Sequence, residues 1–580
     1  MTDRQETLRP FPPELEENCL RIQKAFDLHP LVARLLLQRG LITKDAIRLF
    51  LNGTLADLPN PFLLPDMDKA VERLLKAIRQ NEKILFFGDY DVDGITGTAQ
   101  LQAYFREIGM ETQALLPHRM HDGYGLTESS VKKIAAACPD LLVTIDNGTN
   151  SREEIGALRQ RGIDVIVIDH HEAPSEAHRP DVAALVNPKT SGSRFGERDI
   201  ASAGLVFLLL MALRSRSREM GVSPLPNLKR YLDLASLGTV ADVVPLTGTN
   251  RLLVKFGLDE IAQGARPGIR ALKEISSVQP PVTTTSIAFR LAPRINAAGR
   301  LADPKLALDL LLATSLSEAS TLAQRLEDLN RERQKIEEKV TAAAIEQIKN
   351  NQSSRHGITA VGEDWHLGVV GIVAAKLTER FGRPAVVLAI CEDGKIAKGS
   401  ARTVGKFSIY EALKQVESEM LRFGGHAAAA GLTVSVENLS HFAERFDSSV
   451  KSLWTEEHGA GIEIDSIVQL SDLNSALVGQ LSLLEPHGAG NPEPIFLSDS
   501  VRLEGSRIVG MQGSGRNGGG HLKTLLCQNA VRVDAIGFNL GSYLERALKM
   551  PSHRVAYTPQ INTWNGIESM QMKIKLISSN

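Results

Sequence analysis

Three short apolar runs of this 580-residue chain are each followed by aspartate or histidine side chains. The runs span 83–87, 141–145 and 165–168, and the residues that follow them are Asp89, Asp91, Asp93, Asp146, Asp169, His170 and His171. Runs rich in β-branched and aliphatic residues are typical of buried parallel strands. In an open parallel sheet the carboxyl ends of the strands meet at one crevice, so we expect these side chains to converge there.

The segment 89–94 predicts three carboxylates on one side of an extended stretch. Alternate residues of a strand point to the same side, and Gly94 permits a sharp turn after them. Two such charges about 4 Å apart repel by roughly 4 kcal/mol at an effective dielectric near 20. A cluster that also holds Asp146 and Asp169 therefore needs cations. Mixed aspartate and histidine ligands favour Mn²⁺ or Mg²⁺ over thiolate-bound zinc.

A calcium-binding loop is an alternative for this segment, because Asp89-Tyr-Asp91-Val-Asp93-Gly94 is similar to the opening of an EF-hand loop. The glutamate that such a loop needs about six residues after its glycine is missing, since Gln100 and Leu101 stand there. Taken singly, an aspartate at a strand end is usually a cap or turn residue, and either histidine could be a core residue. Three such strand ends in succession favour a metal site.

Length and composition indicate a globular protein of several domains. Of the 580 residues, 43% are hydrophobic and 23% charged, and one hydrophobic core rarely serves so long a chain. The formal net charge of −2 argues mildly against a nucleic-acid partner, because phosphate contacts require lysine and arginine. Basic residues are nevertheless grouped at 290–300 and 395–406, and such local fields are hidden in the total.

The cysteine pattern and the N-terminus favour the cytoplasm. The four cysteines lie far apart without a CxxC pair, which argues against both a zinc ribbon and a disulfide scaffold. The first residues contain no apolar stretch of the kind that signal peptides have. The longest apolar run, 201–213, is too short to span a bilayer and predicts a buried helix. We expect no membrane contact.

Apolar runs alternate with helical patterns in two blocks, which predicts two α/β domains. In the first block, the strand candidates are 83–89, 111–116, 141–146, 164–169 and 182–187, and the helix candidates are 95–107, 127–137 and 152–161. The second block begins at Gly357, with strands at 358–361 and 385–390, a helix at 369–381 and an extended piece at 395–401.

A long helical pattern between the two blocks and a β-rich tail complete the chain. Residues 304–350 contain almost no glycine or proline, and their apolar heptads do not persist long enough for a coiled coil, so a connecting helix fits better. After residue 488, short β-like runs at 501–503, 531–536 and 554–558 surround a glycine-rich stretch at 513–520. No helix dominates there, which predicts a small barrel.

Further motifs accompany the strand ends along most of the chain. They are Gly238-Thr-Val-Ala-Asp242, Leu291-Ala-Pro-Arg294-Ile-Asn296-Ala-Ala-Gly299-Arg300, Gly399-Ser400-Ala-Arg402, Gly424-Gly425-His426 and Pro486-His-Gly-Ala-Gly490-Asn491. From about Asn81 onward, the chain resembles the DHH phosphoesterase superfamily and, within it, the bacterial exonucleases that are specific for single-stranded DNA.

The resemblance implies an α/β protein with a helical segment at residues 1–80. A DHH-type parallel-sheet domain at 81–300 then leads through a long connecting helix at 301–350 into a second, smaller α/β domain. This DHH-associated domain spans 351–455, and a C-terminal β-barrel of the OB-fold type spans 456–580. OB-folds are well suited to binding single strands.

The resemblance also implies two Mn²⁺ or Mg²⁺ ions at the strand ends. Asp89 and Asp91 would hold one ion, Asp93, His170 and Asp242 the other, and Asp146 would bridge them. Two ions about 3.5–4 Å apart can generate hydroxide and clamp a phosphate. His171 would face the scissile phosphate as charge stabiliser or proton donor, and Asp169 would orient a histidine. Asp93, Asp146, His170 and His171 form the implied catalytic set.

Contacts to DNA phosphates are implied for a second group of residues. These are Arg294, Asn296, Arg300, Ser400, Arg402, Gly424, Gly425 and His426. A hydroxyl beside a forked guanidinium suits bidentate phosphate binding, and a glycine pair lets the backbone approach a phosphate closely.

The activity that the resemblance implies is processive 5′→3′ degradation of single-stranded DNA to mononucleotides, in repair and recombination. It further implies a monomer that works with single-stranded-DNA-binding protein and a RecQ-type helicase. Two alternatives stay open: another DHH enzyme acting on oligoribonucleotides, cyclic dinucleotides or pyrophosphate, and a non-catalytic replication scaffold. The OB-fold region argues against the first alternative. The complete set of aspartates and histidines argues against the second.

Overall fold

A computed structural model of the protein describes residues 6–579, apart from 120, 124, 223, 352–353, 392, 456–457, 459–460, 511–519 and 565–566. The predicted glycine-rich stretch at 513–520 lies almost entirely outside the described residues. Within the described part of the chain, no helix is both long enough and apolar enough to cross a membrane.

In the described residues of the N-terminal segment, one short strand is followed by four α-helices. They are β1 (Glu6–Leu8), α1 (Glu16–Phe26), α2 (Pro30–Gln38), α3 (Lys44–Asn52) and α4 (Met67–Gln80). α2 begins with Pro30, which suits the first helical position, and the Thr43 hydroxyl accepts a hydrogen bond from Ala46 N at the start of α3. α4 is amphipathic and buries Ala70, Val71 and Leu74 against the first sheet.

The first sheet has five parallel strands in the order β3-β2-β4-β5-β6. The strands are β2 (Ile84–Gly88), β3 (Gln113–Leu115), β4 (Leu141–Ile145), β5 (Asp164–Ile168) and β6 (Ala184–Val186). Helices alternate with them: α5 (Val92–Glu107), α6 (Glu128–Ala137), α7 (Arg152–Arg159) and α8 (Ser202–Glu219). All five predicted strands are present, and the apolar run 201–213 is the buried helix that was expected.

A helical layer follows the sheet and ends in one long helix. It contains α9 (Leu232–Ala241), α10 (Gly248–Gln263), α11 (Pro267–Ile275), α12 (Thr284–Ser286), a π-turn (Ile287–Leu291), α13 (Ala292–Leu301), α14 (Lys305–Leu312) and α15 (Leu316–Asn351). The connecting helix predicted at 304–350 is therefore two helices. The break falls at 313–315, where the Ser315 hydroxyl accepts a hydrogen bond from Glu318 N.

The second α/β domain has a mixed five-stranded sheet in the order β10-β11-β9-β8-β7. Its elements are β7 (Ile358–Gly362), α16 (Leu367–Phe381), β8 (Ala385–Ile390), β9 (Ile396–Arg402), α17 (Ile409–Lys414), β10 (Arg422–Gly425), β11 (Ala429–Ser435) and α18 (Leu439–Leu453). Among its described strands, only β7 and β8 are parallel neighbours.

The C-terminal domain is a closed barrel, as predicted. Its elements are β12 (Ile462–Ile464), β13 (Ser466–Ile467), α19 (Ser475–Leu481), β14 (Phe496–Val509), β15 (His521–Gln528), β16 (Val531–Gly537), α20 (Leu544–Lys549), β17 (His553–Trp564) and β18 (Ile567–Ser579). The strand order is β14-β15-β16-β18-β17, and β17 pairs with β14 to close the barrel.

The two ends of the chain form one folded unit. β1 pairs in parallel with β12, matching Glu6 with Ile462. α1, α2 and α3 bury apolar side chains in the same core as the barrel, where Leu36 and Ile47 accompany Phe496. The segment predicted as 1–80 therefore divides: its first three helices belong with the barrel, and α4 belongs with the first sheet.

Candidate metal centre

The carboxyl ends of three neighbouring strands bring the predicted residues together. β2, β4 and β5 are adjacent in the sheet, and they end directly before Asp89, Asp146 and Asp169. Hydrogen bonds continue past the strands, because Asp89 N donates to Ile145 O and Asp146 N donates to Ile168 O. Asp146 then takes a left-handed backbone conformation with φ of 66°, which aspartate tolerates better than most residues.

The geometry expected for residues 89–94 was wrong. Asp93 and Gly94 do not belong to an extended segment, because α5 starts at Val92, and Asp91 is the last extended residue before the helix. Asp91 caps the helix, with Oδ1 accepting hydrogen bonds from Asp93 N and Gly94 N. Gly94 is needed for close approach rather than for a turn, since a Cβ there would lie 2.4 Å from Asp89 N. A helical turn thus replaces strand alternation as the device that gathers the carboxylates.

Asp93 belongs to the first turn of α5, and its carboxylate contacts the N-terminus of α8. Its two carboxylate oxygens accept hydrogen bonds from Ser202 N at 2.7 Å and Ala203 N at 2.9 Å. Gly238 of α9 packs directly on this carboxylate, because a Cβ there would lie 2.8 Å from Asp93 Oδ1. The free N–H groups of a helix N-terminus stabilise an anion. Three helices and two backbone donors therefore fix the position of Asp93.

His170 lies between two aspartates. Its Nε2 is 3.3 Å from Asp146 Oδ1 and 3.5 Å from Asp242 Oδ2. Burial, together with the neighbouring His171, lowers the pKa of His170 to about 4. The neutral ring can therefore offer a nitrogen lone pair as a ligand. Asp242 comes from the C-terminal end of α9.

The ligand atoms form three overlapping groups, in each of which all atoms lie within 4.8 Å of one another. The groups are Asp93, His170 and Asp242; Asp89, Asp91 and Asp146; and Asp146, His170 and His171. We call these seven residues the acidic cluster. The first group contains the residues of one implied ligand set, and the second contains Asp89 and Asp91 of the other set together with Asp146, which also lies in the third group. The assignment of individual residues to ions stays a prediction.

Electrostatics supports a need for cations at the acidic cluster. Burial, followed by repulsion from Asp91, raises the pKa of Asp93 to about 7. Burial, followed by repulsion from Asp93, raises the pKa values of Asp146 and Asp242, the latter to about 9. Among the described residues, the buried Oδ1 of Asp89 has no hydrogen-bond partner. Hard oxygen ligands with one imidazole fit Mn²⁺ or Mg²⁺.

Asp169 contacts the second histidine. Its Oδ1 lies 2.7 Å from His171 Nδ1, and its Oδ2 accepts a hydrogen bond from Thr149 N. The bond from His171 lowers the pKa of the Asp169 carboxyl despite its burial. The Asp169 carboxylate in turn raises the pKa of His171 against the opposing effect of burial. This pairing holds the His171 ring in place beside Asp146, whose Oδ1 lies 4.0 Å from His171 Nδ1.

The sequence-based reasoning missed Lys189, which follows the end of β6. Its Nζ lies 3.0 Å from Glu172 Oε1 and 3.3 Å from Asp199 Oδ1. Its positive charge partly offsets the rise in the pKa of Asp242. Nearby, Asn187 Nδ2 donates to His171 O. The signal was available, because Asn187-Pro-Lys189 is a fourth polar group at a strand end.

A second missed residue, Arg119, lies close to the acidic cluster. Its guanidinium carbon is 5.1 Å from the centroid of the Tyr90 ring. Its positive charge acts on Asp89 and also lowers the pKa values of Arg300 and Arg402. We call Arg119, Arg300 and Arg402 the arginine cluster. Arg119 follows no apolar run or glycine motif, so no local pattern singled it out.

The arginine cluster meets the first turn of α16. Arg300 Nη1 donates to Gly368 O at 2.8 Å, and burial lowers the Arg300 pKa to about 9, so that it stays charged at neutral pH. A Cβ on Gly371 would lie 3.0 Å from Arg402 Nη2 and 3.3 Å from Ser400 Oγ. The helix N-terminus, the serine hydroxyl and the guanidinium groups together can hold an anion.

The sheet register places the glycine motif in the same region. Gly424 pairs with Gly431, and Gly431 pairs with Ser400. A Cβ on Gly424 would meet nothing within 4 Å, so the space beside this glycine is open. Gly425 and His426 follow at the exposed hairpin end, where His426 N donates to Ala429 O.

Arg294 differs from the rest of the predicted phosphate-binding group. Arg294 Nε lies 2.7 Å from Glu327 Oε2 of α15, and both side chains are largely buried. Its fork is thus engaged within the protein. Asn296 lies half-buried one turn before Arg300 on the same helix.

The acidic cluster predicts that metal stabilises the protein more as the pH rises. Asp93 and Asp242 titrate at about 7 and about 9 instead of the ordinary 3.8. Between pH 3.8 and these raised pKa values, the metal-free folded protein binds more protons than the unfolded chain. Its free energy of unfolding therefore falls as the pH increases. A bound cation displaces those protons. We expect the difference in Tm between Mg²⁺ and a chelator to grow from about pH 6 to about pH 9. A difference in Tm that does not change with pH would contradict binding of the cation by Asp93 and Asp242.

Comparisons with known proteins agree with this fold and site. The chain matches the models of the DHH family, N-terminal domain, over residues 83–239, the DHHA1 domain over 333–452, and the RecJ OB domain over 464–576. Fold and site thus define a DHH-type protein with a divalent-metal centre.

Relatives similar over the full length narrow this class. The chain is 35% identical to the single-stranded-DNA-specific exonuclease RecJ of Bacillus subtilis, covering 97% of this chain and 69% of the relative. It is 35% identical to that of Escherichia coli, covering 94% and 96%. The crystal structure of RecJ in complex with Mn²⁺ from Thermus thermophilus matches with a TM-score of 0.83 and 31% identity, covering 100% of this chain and 80% of that one. The chain belongs to the RecJ family.

Proposed function

We propose that this protein is a metal-dependent exonuclease that degrades single-stranded DNA from its 5′ end to mononucleotides. One observation carries the proposal: Gly299, which precedes Arg300, packs against Tyr90 between Asp89 and Asp91, since a Cβ there would lie 2.5 Å from Tyr90 O, and Arg119 lies over the Tyr90 ring. A metal centre for hydrolysis and a site for a terminal phosphate are thereby neighbours. The barrel, an OB domain by its family match, supplies a fold suited to single strands.

The residues of the acidic cluster would hold two Mn²⁺ or Mg²⁺ ions, which supply an activated water and charge neutralisation when bound. Asp89 and Asp91 would hold one ion and Asp93, His170 and Asp242 the other, and Asp146 would be shared by both sites. His171, held by Asp169 at 2.7 Å, would donate a hydrogen bond or proton to the phosphate. Lys189 would limit the negative charge beside Asp242.

Ser400, Arg402, Gly424, Gly425, His426 and Arg300 would bind DNA phosphates. The open space beside Gly424 would admit the DNA backbone, and the fork of Arg402 would suit two phosphate oxygens. Asn296 would add a polar contact next to Arg300. For Arg294 the ion pair with Glu327 supports a structural role beside the proposed DNA contact.

The biological setting is proposed from the resemblance and the free cysteines. We propose action in DNA repair and recombination in the cytoplasm, as a monomer, together with single-stranded-DNA-binding protein and a RecQ-type helicase. Direct binding of each purified partner would test these interactions one by one.

Digestion of 5′- and 3′-labelled single strands by the purified protein with Mn²⁺ or Mg²⁺ tests the function. We expect the 5′-labelled strand to release labelled mononucleotide from the start of the reaction. The label of the 3′-labelled strand should stay in progressively shorter strands. A single-stranded RNA and a cyclic dinucleotide serve as competing substrates. Cleavage of either one, with DNA left intact, would replace the proposed substrate.

Arg402→Ala is expected to reduce kcat/KM on single-stranded DNA by about 10- to 100-fold, because hydrogen bonds to a charged phosphate contribute about 1.5–3 kcal/mol. Arg402→Lys should restore only part of this, since a point charge cannot reproduce the fork. His426→Ala should have a smaller effect. Arg380→Ala is the matched control, at the exposed far end of α16. Wild-type kinetics for both Arg402→Ala and His426→Ala would exclude the second domain from substrate binding.

A further inference from the structure

Phe289 is the most exposed large apolar side chain in the described part of the chain, at 73%. It belongs to the π-turn between α12 and α13, and its neighbours Ile287 and Leu291 are fully buried. Aromatic side chains gain much from burial, so a rigid element that presents one to solvent needs a reason. π-turns inside helices occur frequently at functional sites.

The exposed face of this helix leads from Phe289 to the arginine cluster. Pro293, Asn296 and Arg300 follow Phe289 at spacings of four, seven and eleven residues, which places them on one side of the helix. All three are half-buried, whereas Ile295 and Ala298 on the other side are fully buried. Arg300 itself contacts Gly368 O at the start of α16.

Both ends of the helix are fixed to other parts of the protein. At its start, Thr284 Oγ1 donates to His487 O of the C-terminal domain at 2.6 Å. At its end, Gly299 packs against the segment between Asp89 and Asp91, since a Cβ there would lie 2.5 Å from Tyr90 O. The helix therefore holds Phe289 at a set distance from the acidic cluster.

That distance can be expressed in nucleotides. Eleven residues of helix separate Phe289 from Arg300, which at 1.5 Å per residue is about 16 Å. A stacked strand advances about 3.4 Å per nucleotide. A strand whose terminal phosphate lies at the arginine cluster, and which follows the exposed face of this helix, would therefore bring a base to Phe289 after about five nucleotides.

We propose that Phe289 is a stacking platform for a base of single-stranded DNA, about five nucleotides from the end that is bound at the arginine cluster. This inference rests on the proposed function and deepens it, by assigning the site a minimum strand length for tight binding. Phe289 is a positioning residue, because it holds the strand and does not reach the reacting atoms. Every base has a π-face, so the contact is independent of sequence.

Binding of a 12-nucleotide and a 3-nucleotide oligothymidylate, both 5′-phosphorylated, tests the proposal. Titrations in the presence of a chelator avoid cleavage. Phe289→Ala should raise the Kd for the 12-mer about 5- to 50-fold. The trimer ends before Phe289, so the ratio of the two Kd values should change by nearly the same factor. Phe289→Trp should bind the 12-mer about as tightly as the wild type, and the DNA should quench the fluorescence of the added tryptophan. Phe289→Leu should bind it little better than Phe289→Ala.

Met220→Ala is the matched control, since Met220 is a 50% exposed apolar residue at the end of α8 that is remote from Ser202 and the acidic cluster. Equal binding of the 12-mer by wild type and Phe289→Ala would overturn the inference, and so would an equal loss for the trimer. Neither result would affect the proposed function, which fails separately if the wild-type protein with metal does not cleave single-stranded DNA.

Discussion

Replacement of His170 by alanine is expected to abolish cleavage of single-stranded DNA, with a loss on the order of a thousandfold or more in kcat. The ring is the only imidazole in the group with Asp93 and Asp242, and it also lies 3.3 Å from Asp146. Its removal leaves carboxylates that repel one another without the neutral ligand between them. Rates under single-turnover conditions at saturating Mn²⁺ measure the loss. Near-normal turnover would remove His170 from the site.

The choice of His170 over Asp93 follows from their contacts. Asp93 accepts backbone hydrogen bonds from Ser202 and Ala203, so Asp93→Ala should abolish cleavage and also destabilise the start of α8. The His170 ring makes no such backbone contact in the described structure, so His170→Ala separates catalysis from folding. His178→Ala is the control, because His178 is an exposed histidine of the same domain that contacts Ser175.

The convergence of the acidic cluster could be predicted because it depends on one rule of parallel sheets. Asp89, Asp146 and Asp169 each follow a buried strand, and the three strands are neighbours. The periodicity of apolar residues locates strands, and their carboxyl ends share an edge. The same reasoning located both α/β domains and the barrel.

Contacts made across long sequence separations were beyond local patterns. Asp93 was expected in an extended segment with Asp89 and Asp91, because alternation of residue types cannot distinguish an extended segment from the first turn of a helix over so short a stretch. The backbone donors to Asp93 come from Ser202 and Ala203, which are far away in the sequence. Arg119 joins the arginine cluster only through the tertiary fold, so nothing in its own segment indicated a role.

The association of the two chain ends was likewise invisible to sequence patterns, and it changes how the barrel should be tested. Truncation near Gly488 suggests itself as a way to isolate a metal-competent core. In the structure, Leu246 N donates to Ala489 O, and α1 to α3 share the barrel's core. Such a truncation would leave apolar faces of these helices in water, so lost activity would report misfolding together with lost DNA binding.

Arg251 of α10 connects three parts of the chain. Only 2% of its surface is exposed. Its guanidinium donates to the Phe50 carbonyl of α3 and to the carbonyls of four consecutive C-terminal residues, Leu483, Leu484, Glu485 and Pro486. It also lies over the Phe50 ring, 3.7 Å from the centroid. One charged group thus satisfies five acceptors that belong to the N-terminal helices and to the segment entering the barrel.

Arg251→Ala is therefore expected to destabilise the protein by about 3–5 kcal/mol, because a carbonyl left without a partner costs about 1–3 kcal/mol and those of Phe50, Leu483 and Glu485 lose the arginine donor together. This corresponds to a fall in Tm of roughly 10 °C for the unit formed by the two chain ends. Arg251→Lys should recover only part of the loss, since an ammonium offers fewer donors than there are carbonyls to satisfy.

Arg270→Ala is the control for this prediction. It removes an exposed ion pair with Glu274, which should cost below about 1 kcal/mol. Thermal unfolding measures the loss of stability in both variants. In limited proteolysis, Arg251→Ala should be cleaved first within residues 483–491, because among the described residues only Asn491 Nδ2 would then donate to the carbonyls of Leu484 and Pro486. If Arg251→Ala melts like Arg270→Ala, the joint between the two chain ends does not depend on this arginine.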